Sequence, residues 1–166
     1  MRKLVLGIFI FFITITSIHA QEGLRAGLNI GLPLNETSDM STLNVGIDIS
    51  LLRYVGEKLS LGGVSGYTHY LANTTNNGLE VNNEDLSFIP VAASARYQFS
   101  KVIFGSFDIG YAIAVQGEEG GTYYQTKFGW YGNKMDVFAF YKGISLNTGA
   151  LVSVGVGFAY KILPAK

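Results

Sequence analysis

No cysteine occurs in this chain, so no disulfide framework can stand in for a core, and no thiol follows the N-terminal segment to carry a lipid. Attachment to a membrane would therefore have to come from the fold. Surplus charge is missing as well: twelve basic residues balance twelve acidic ones, which excludes the one-signed surface that binds polyanions. Nucleic acid is not an expected partner. Histidine is limited to His19 and His69. Beyond the N-terminal segment no stretch holds a 3.6-residue apolar period, so helices are not expected.

That N-terminal segment reads as a secretory signal, with Arg2 and Lys3 as its positive start, residues 4–15 as its apolar stretch and Ala20 as the small residue at the cut. An apolar stretch of that length is too short to cross a bilayer as a helix. The expected organisation is a signal peptide over residues 1–20 and one domain over residues 21–166, a length that suits one domain better than two. Loss of Arg2 and Lys3 leaves the domain slightly acidic.

What fills the domain is alternation. In residues 151–162 (LVSVGVGFAYKI), Val152, Val154, Val156, Phe158, Tyr160 and Ile162 fall on one side, and Ser153, Gly155, Gly157, Ala159 and Lys161 on the other. Successive side chains of a strand point to opposite faces, so this strand has one broad apolar face and one narrow, small or polar face. A soluble sheet would place its charges on the outward face instead. The same arrangement runs through residues 23–34, 42–52, 86–99 and 102–116. It is blurred by glycine in 58–71 and weaker in 122–132, and in 136–144 neither parity separates Phe138, Phe140 and Lys142 from Val137, Ala139 and Tyr141. Pro90 cannot donate to a ladder and predicts a bulge or a strand start near it.

Eight runs result, joined alternately by polar loops (35–41, 72–85, 117–121, 145–149) and brief turns (54–57, 100–101, 133–135). Long loops at one end and tight turns at the other predict an all-β fold, a closed eight-stranded antiparallel up-and-down transmembrane β-barrel. Lipid offers backbone amides no water, so a β protein spans it only when its sheet closes. Under the parities above, Arg25, Asp48, Arg96, Asp108, Lys127 and Lys161 point inward, away from a medium where a mid-bilayer basic side chain costs roughly 2–4 kcal/mol. They are expected to form a structural plug of ion pairs in a lumen that eight strands leave just wide enough to fill. Tyr97, Phe99, Trp130 and Tyr160 near the short turns, and Tyr67, Tyr111 and Tyr124 near the long loops, match aromatic girdles.

The stretches FIPVAASARYQF (88–99), FGSFDIGYAIAV (104–115) and VGVGFAYKI (154–162) resemble the small outer-membrane β-barrel proteins, the OmpA/OmpX-like and PorT-like group. The resemblance covers the whole domain and implies the outer membrane as location. Members of that group usually end on an aromatic residue, whereas here residues 163–166 follow Ile162.

Chemistry is sparse. His69 near a serine would suit a general base, as in barrel enzymes acting on outer-membrane lipids, but the sequence shows no His-x-Ser or Ser-His-acid spacing beside it. A solvated rim histidine is the expectation, with no catalytic, cofactor or metal site. The outer loops carry Glu36, Asp39, Glu80, Glu84, Asp85, Glu118 and Glu119 and no Lys or Arg, an acidic rim suited to solubility, to divalent cations bridging lipid headgroups, or to a cationic partner. The function expected is a non-enzymatic, monomeric outer-membrane barrel in contact with outer-membrane lipid, its loops serving surface interaction or envelope integrity. The alternatives are a soluble lipocalin-like barrel with a small apolar ligand and a lipid-modifying barrel enzyme. As a test of facing, Gly155→Ser is expected to be milder than Val156→Arg.

Overall fold

The computed structural model of the chain describes residues 21–34, 37–38, 41–72, 75–76, 79–80, 85–116, 119–147 and 149–164. The signal segment expected at 1–20 lies outside the described residues. The strands are β1 (Gln21–Leu34), β2 (Ser41–Tyr54), β3 (Leu59–Ala72), β4 (Thr75–Asn76), β5 (Leu79–Glu80), β6 (Leu86–Gln98), β7 (Ile103–Ala114), β8 (Gly121–Trp130), β9 (Met135–Leu146) and β10 (Gly149–Pro164). Eight of them close into one barrel in the order β1-β10-β9-β8-β7-β6-β3-β2. Every barrel neighbour is antiparallel, and the seam between β1 and β10 runs from Gly23 opposite Pro164 to Leu34 opposite Val152. The remaining pair, β4 and β5, makes a two-rung ladder within what the sequence presents as a plain polar loop.

The barrel is inside out relative to a soluble protein. Leu28, Ile30, Leu32, Ile47, Ile49, Leu51, Val91, Ile109, Val137 and Val156 are all 48–61% exposed, while Arg25, Asn44, Arg96, Asp108, Asp136 and Lys142 are buried. A continuous apolar belt of this extent is stable only against hydrocarbon. Among the described residues no helix is long and apolar enough to cross a membrane. The soluble lipocalin-like alternative fails here, because it requires the apolar faces to line the interior.

Aromatic side chains mark both edges of the belt. Trp130, Phe128, Phe99, Tyr160 and Tyr97 project outward at the short-turn end, with Phe99 5.2 Å from Tyr97 and 6.1 Å from Phe128, centroid to centroid. Tyr111, Tyr141 and Tyr67 project at the loop end, where Tyr124 lies 6.2 Å from Tyr141.

Two local readings are decided by the structure. In β9 the structure turns Asp136, Phe138, Phe140 and Lys142 inward and Val137, Ala139 and Tyr141 outward. Sequence parity is unreadable there because both faces are aromatic. Further along β9, Gly143 is covered from outside by the Tyr124 ring, which a Cβ would meet at 2.1 Å. Pro90 marks neither a bulge nor a strand start. It sits inside β6, and the register with β3 is the same on both sides of it, Ser65 opposite Val91 and Thr68 opposite Phe88, with the rungs between them missing. The absent N–H interrupts the ladder without shifting it.

Candidate functional sites in the lumen and at the outer rim

From the short-turn mouth inward, the lumen is filled in layers. The mouth holds Tyr54, Tyr131 and Gln98, with Gln98 Nε2 donating to Tyr54 Oη at 2.8 Å and the two tyrosine hydroxyls 3.3 Å apart. Lys161 lies over the Tyr131 ring, 3.8 Å from its centroid, and donates to the Gly132 carbonyl at 2.8 Å. Gly23, at φ 108°, carries β1 through the irregularity that precedes Arg25, a backbone conformation that favours glycine.

The first charged layer is a cluster of two guanidiniums on one carboxylate. Asp136 Oδ2 is 3.1 Å from Arg25 Nε and 3.0 Å from Arg96 Nη1, with all three side chains at most 5% exposed. Arg96 also lies over Phe104, its Cζ 3.8 Å from the ring centroid, which covers the flat face of the guanidinium. The second layer reverses the ratio. Lys127 Nζ is 3.3 Å from Asp108 Oδ2 and 3.6 Å from Asp48 Oδ2, while Ser94 donates to Asp108 at 2.5 Å and Asn29 to Asp48 at 3.3 Å.

The third layer is built around Lys142. Its ammonium donates to Asn29 Oδ1 at 2.9 Å, Thr68 Oγ1 at 3.1 Å and Asn44 Oδ1 at 3.2 Å, all neutral oxygens. Asn29 thus links Lys142 to Asp48 and the layer beneath. Phe138 and Phe140 fill the space between layers, 5.4 Å from Lys127 Nζ and 5.0 Å from Lys142 Nζ. At the loop end the polar filling gives way to an apolar cap of Val64, Tyr70, Phe88, Tyr123, Ile144 and Leu151. Thr37 from the first loop reaches over β10, accepting from the Val152 amide at 3.0 Å and donating to the Ala150 carbonyl at 3.2 Å.

The six charges read from the sequence are thus distributed over two layers and the mouth. Asp136 and Lys142 join them, and both lie on the strand whose parity is unreadable. Of the acidic rim, Glu36, Asp39, Glu84 and Glu118 lie outside the described residues, and of Glu80 only the strand position in β5 is described. Glu119 accepts a hydrogen bond from Asn147. The exposed residues Lys58, Lys101 and Lys134 sit at the short-turn end, together with Glu57.

Asp85 and His69 meet at the loop-end edge of the outer wall. Although the sequence shows no triad spacing, register pairs His69 with Ser87 across β3 and β6. His69 Nδ1 is 2.9 Å from Ser87 Oγ, its Nε2 is 3.4 Å from Asp85 Oδ2, and Tyr67 donates to Ser87 Oγ at 2.8 Å. Only the inter-strand register reveals this grouping. The sequence separation of 18 residues between histidine and serine carries no signal of it.

No protein-family model and no curated protein matches the sequence. Among solved structures, the barrel is similar to the crystal structure of Ail, the attachment invasion locus protein of Yersinia pestis, with TM-score 0.59 at 11% identity over 87% of this chain and 100% of that one. The designed barrel TMB2.3 gives TM-score 0.56 at 12% identity, covering 87% of this chain and 98% of its own. A second de novo transmembrane β-barrel gives 0.53 at 16% identity, covering 87% and 100%. Shape shared equally with designed proteins identifies a fold and not an activity. That fold is the small eight-stranded transmembrane barrel.

Proposed function

We propose that this chain is an integral outer-membrane barrel with a plugged lumen, which anchors long acidic loops at the outer face and works through that surface rather than by conduction. The observation that carries this reading is the filling. Two layers of ion pairs, a third of hydrogen bonds around Lys142 and an apolar cap succeed one another along a barrel whose width side chains alone can fill. The lumen charges serve as a structural plug, each carboxylate sharing cations across strands. The closed β1–β10 seam leaves no strand edge to recruit a second copy, which supports a monomer in contact with lipid. The loop-bearing role needs no catalysis.

Loop chemistry narrows the partner. Ail was also solved in complex with the heparin analogue sucrose octasulfate, a TM-score 0.57 match at 11% identity. The outer loops of this chain carry seven acidic residues and no Lys or Arg, the wrong sign for a sulfated ligand. They suit divalent cations bridging to anionic headgroups, or a cationic partner, and so a role in envelope integrity or surface interaction. The test combines fractionation with electrophoresis and conductance. The protein should partition with the outer membrane, run faster unboiled than boiled on a detergent gel, and show no steady conductance in a planar bilayer. Recovery in the soluble periplasm, or a stable open channel, would overturn the reading.

A further inference from the structure

The outer wall holds an arrangement that neither anchoring nor plugging requires. His69 and Ser87 sit on the lipid-facing parity of β3 and β6, the same parity as Tyr67, Ile89 and Val91, just below the ends of their strands on the loop side. Asp85 accepts a hydrogen bond from the Ala72 amide at 2.8 Å through Oδ1, which leaves Oδ2 directed at His69 Nε2. A carboxylate only accepts, so in the neutral imidazole the proton belongs on Nε2 and Nδ1 offers its lone pair to the Ser87 hydroxyl. The Tyr67 ring stacks beside the imidazole, 6.3 Å between centroids at 12°.

We propose that Ser87, His69 and Asp85 form an acyl-ester hydrolase site on the membrane-facing wall, with fatty-acyl ester lipids of the outer leaflet as substrates. The roles follow from geometry: a nucleophile bonded to a base, and a base held by an anchored acid. Tyr67 Oη, already within 2.8 Å of Ser87 Oγ, is placed to donate to the oxygen of an attacked carbonyl. At the foot of the site an open apolar groove of about 660 Å³ runs along the belt, lined by Ile47, Ile49, Ser65, Tyr67, Ile89 and Phe158. It lies beside the rungs lost at Pro90. An acyl chain lying there brings its ester to the level of His69, where hydrocarbon meets headgroup. Ser87 is 4% exposed beneath the Tyr67 side chain, which is itself 39% exposed, so an entering ester shifts the Tyr67 ring and takes its hydroxyl hydrogen bond from Ser87 Oγ onto the carbonyl oxygen.

The reaction balances with water as the only co-reactant. Ser87 Oγ bonds to the ester carbonyl carbon while its proton passes to His69 Nδ1. The bond from that carbon to the alcohol oxygen then breaks, and the departing oxygen takes the proton from His69. Water repeats the sequence on the acyl-serine, releasing one fatty acid and restoring Ser87. Asp85 is a positioning residue, since it touches only the imidazole and the Ala72 amide.

The test uses the mature full-length barrel, folded in mixed micelles with phosphatidylethanolamine in one arm and hexa-acylated lipid A in the other, with free fatty acid measured by mass spectrometry. Release in the first arm assigns glycerophospholipid as substrate, and release in the second assigns acylated saccharolipid. Ser87→Ala and His69→Ala should each lose about 100-fold or more in rate while keeping the heat-dependent gel shift of a folded barrel. Asp85→Asn should lower kcat about tenfold per folded barrel, the folded fraction being read from the unboiled band, and Asp85→Glu should recover part of that loss. A long-chain fluorophosphonate should add once to the wild-type protein, on the peptide containing Ser87, which tests the nucleophile without any variant. Release unchanged in Ser87→Ala, or no release in either arm together with no adduct at Ser87, would overturn the proposal.

Discussion

At the scale of single residues the two faces of the wall impose opposite rules, and the lumen face is the stricter. Val156 lies midway along β10 and is 58% exposed to the apolar belt. Arginine there should cost roughly 2–4 kcal/mol and block stable insertion, read as loss of the fast-running unboiled species. Its neighbour Gly155 overturns the milder outcome expected for serine, since a Cβ there would lie 2.1 Å from the Ile30 carbonyl oxygen and 2.5 Å from Gly31 Cα. Backbone, not a flexible side chain, stands in the way, so Gly155→Ser should also fail to give a stable barrel. The adjacent glycines of β3 offer a cleaner contrast. A Cβ on Gly62 would fall 1.9 Å from the Leu51 carbonyl oxygen, whereas one on Gly63 meets only the Ala92 carbonyl oxygen at 3.7 Å. Gly63→Ala should fold with unchanged urea resistance in vesicles, and Gly62→Ala should lower it measurably.

At the scale of elements, β9 ties the lumen together. It contributes Asp136 to the two arginines, Lys142 to the asparagine layer, and Phe138 and Phe140 to the spaces between. Asp136→Ala removes the carboxylate that Arg25 and Arg96 share in a dry interior. Breaking such a buried cluster typically costs roughly 3–5 kcal/mol, so the urea midpoint in vesicles should fall sharply. Asp136→Asn, which keeps volume and one acceptor, should lose less. The strand was also where sequence reading failed. Alternation is legible only when the two faces differ in polarity, as they do in β10, where Val154, Val156 and Phe158 oppose Ser153, Gly155 and Gly157. In β9 the lumen demands aromatic filler and the lipid accepts it, so the pattern carries no contrast.

For the whole molecule, closure is the condition on which every strand depends, because an unpaired edge in hydrocarbon leaves a row of unsatisfied amides. The seam joins the first strand to the last, Arg25 opposite Lys161 and Ile30 opposite Val156. Removing residues 157–166 takes away the short-turn half of that seam. Such a chain should show no heat-dependent gel shift and should be digested by added protease, while the full chain resists below its loops.

By itself the sequence determined the number of barrel strands, the alternation of long and short connections, the outward set in β1, β2, β6, β7 and, apart from buried Val152, β10, and the inward placement of Arg25, Asp48, Arg96, Asp108 and Lys127. Each follows from a two-residue period, which is a local property of the chain. Only the tertiary structure decided which lumen charges meet, how Asp136 and Lys142 complete their layers, and that His69, Ser87 and Asp85 stand together. Those outcomes depend on register and barrel stagger, which bring residues from distant strands to one height, and no local pattern encodes that height.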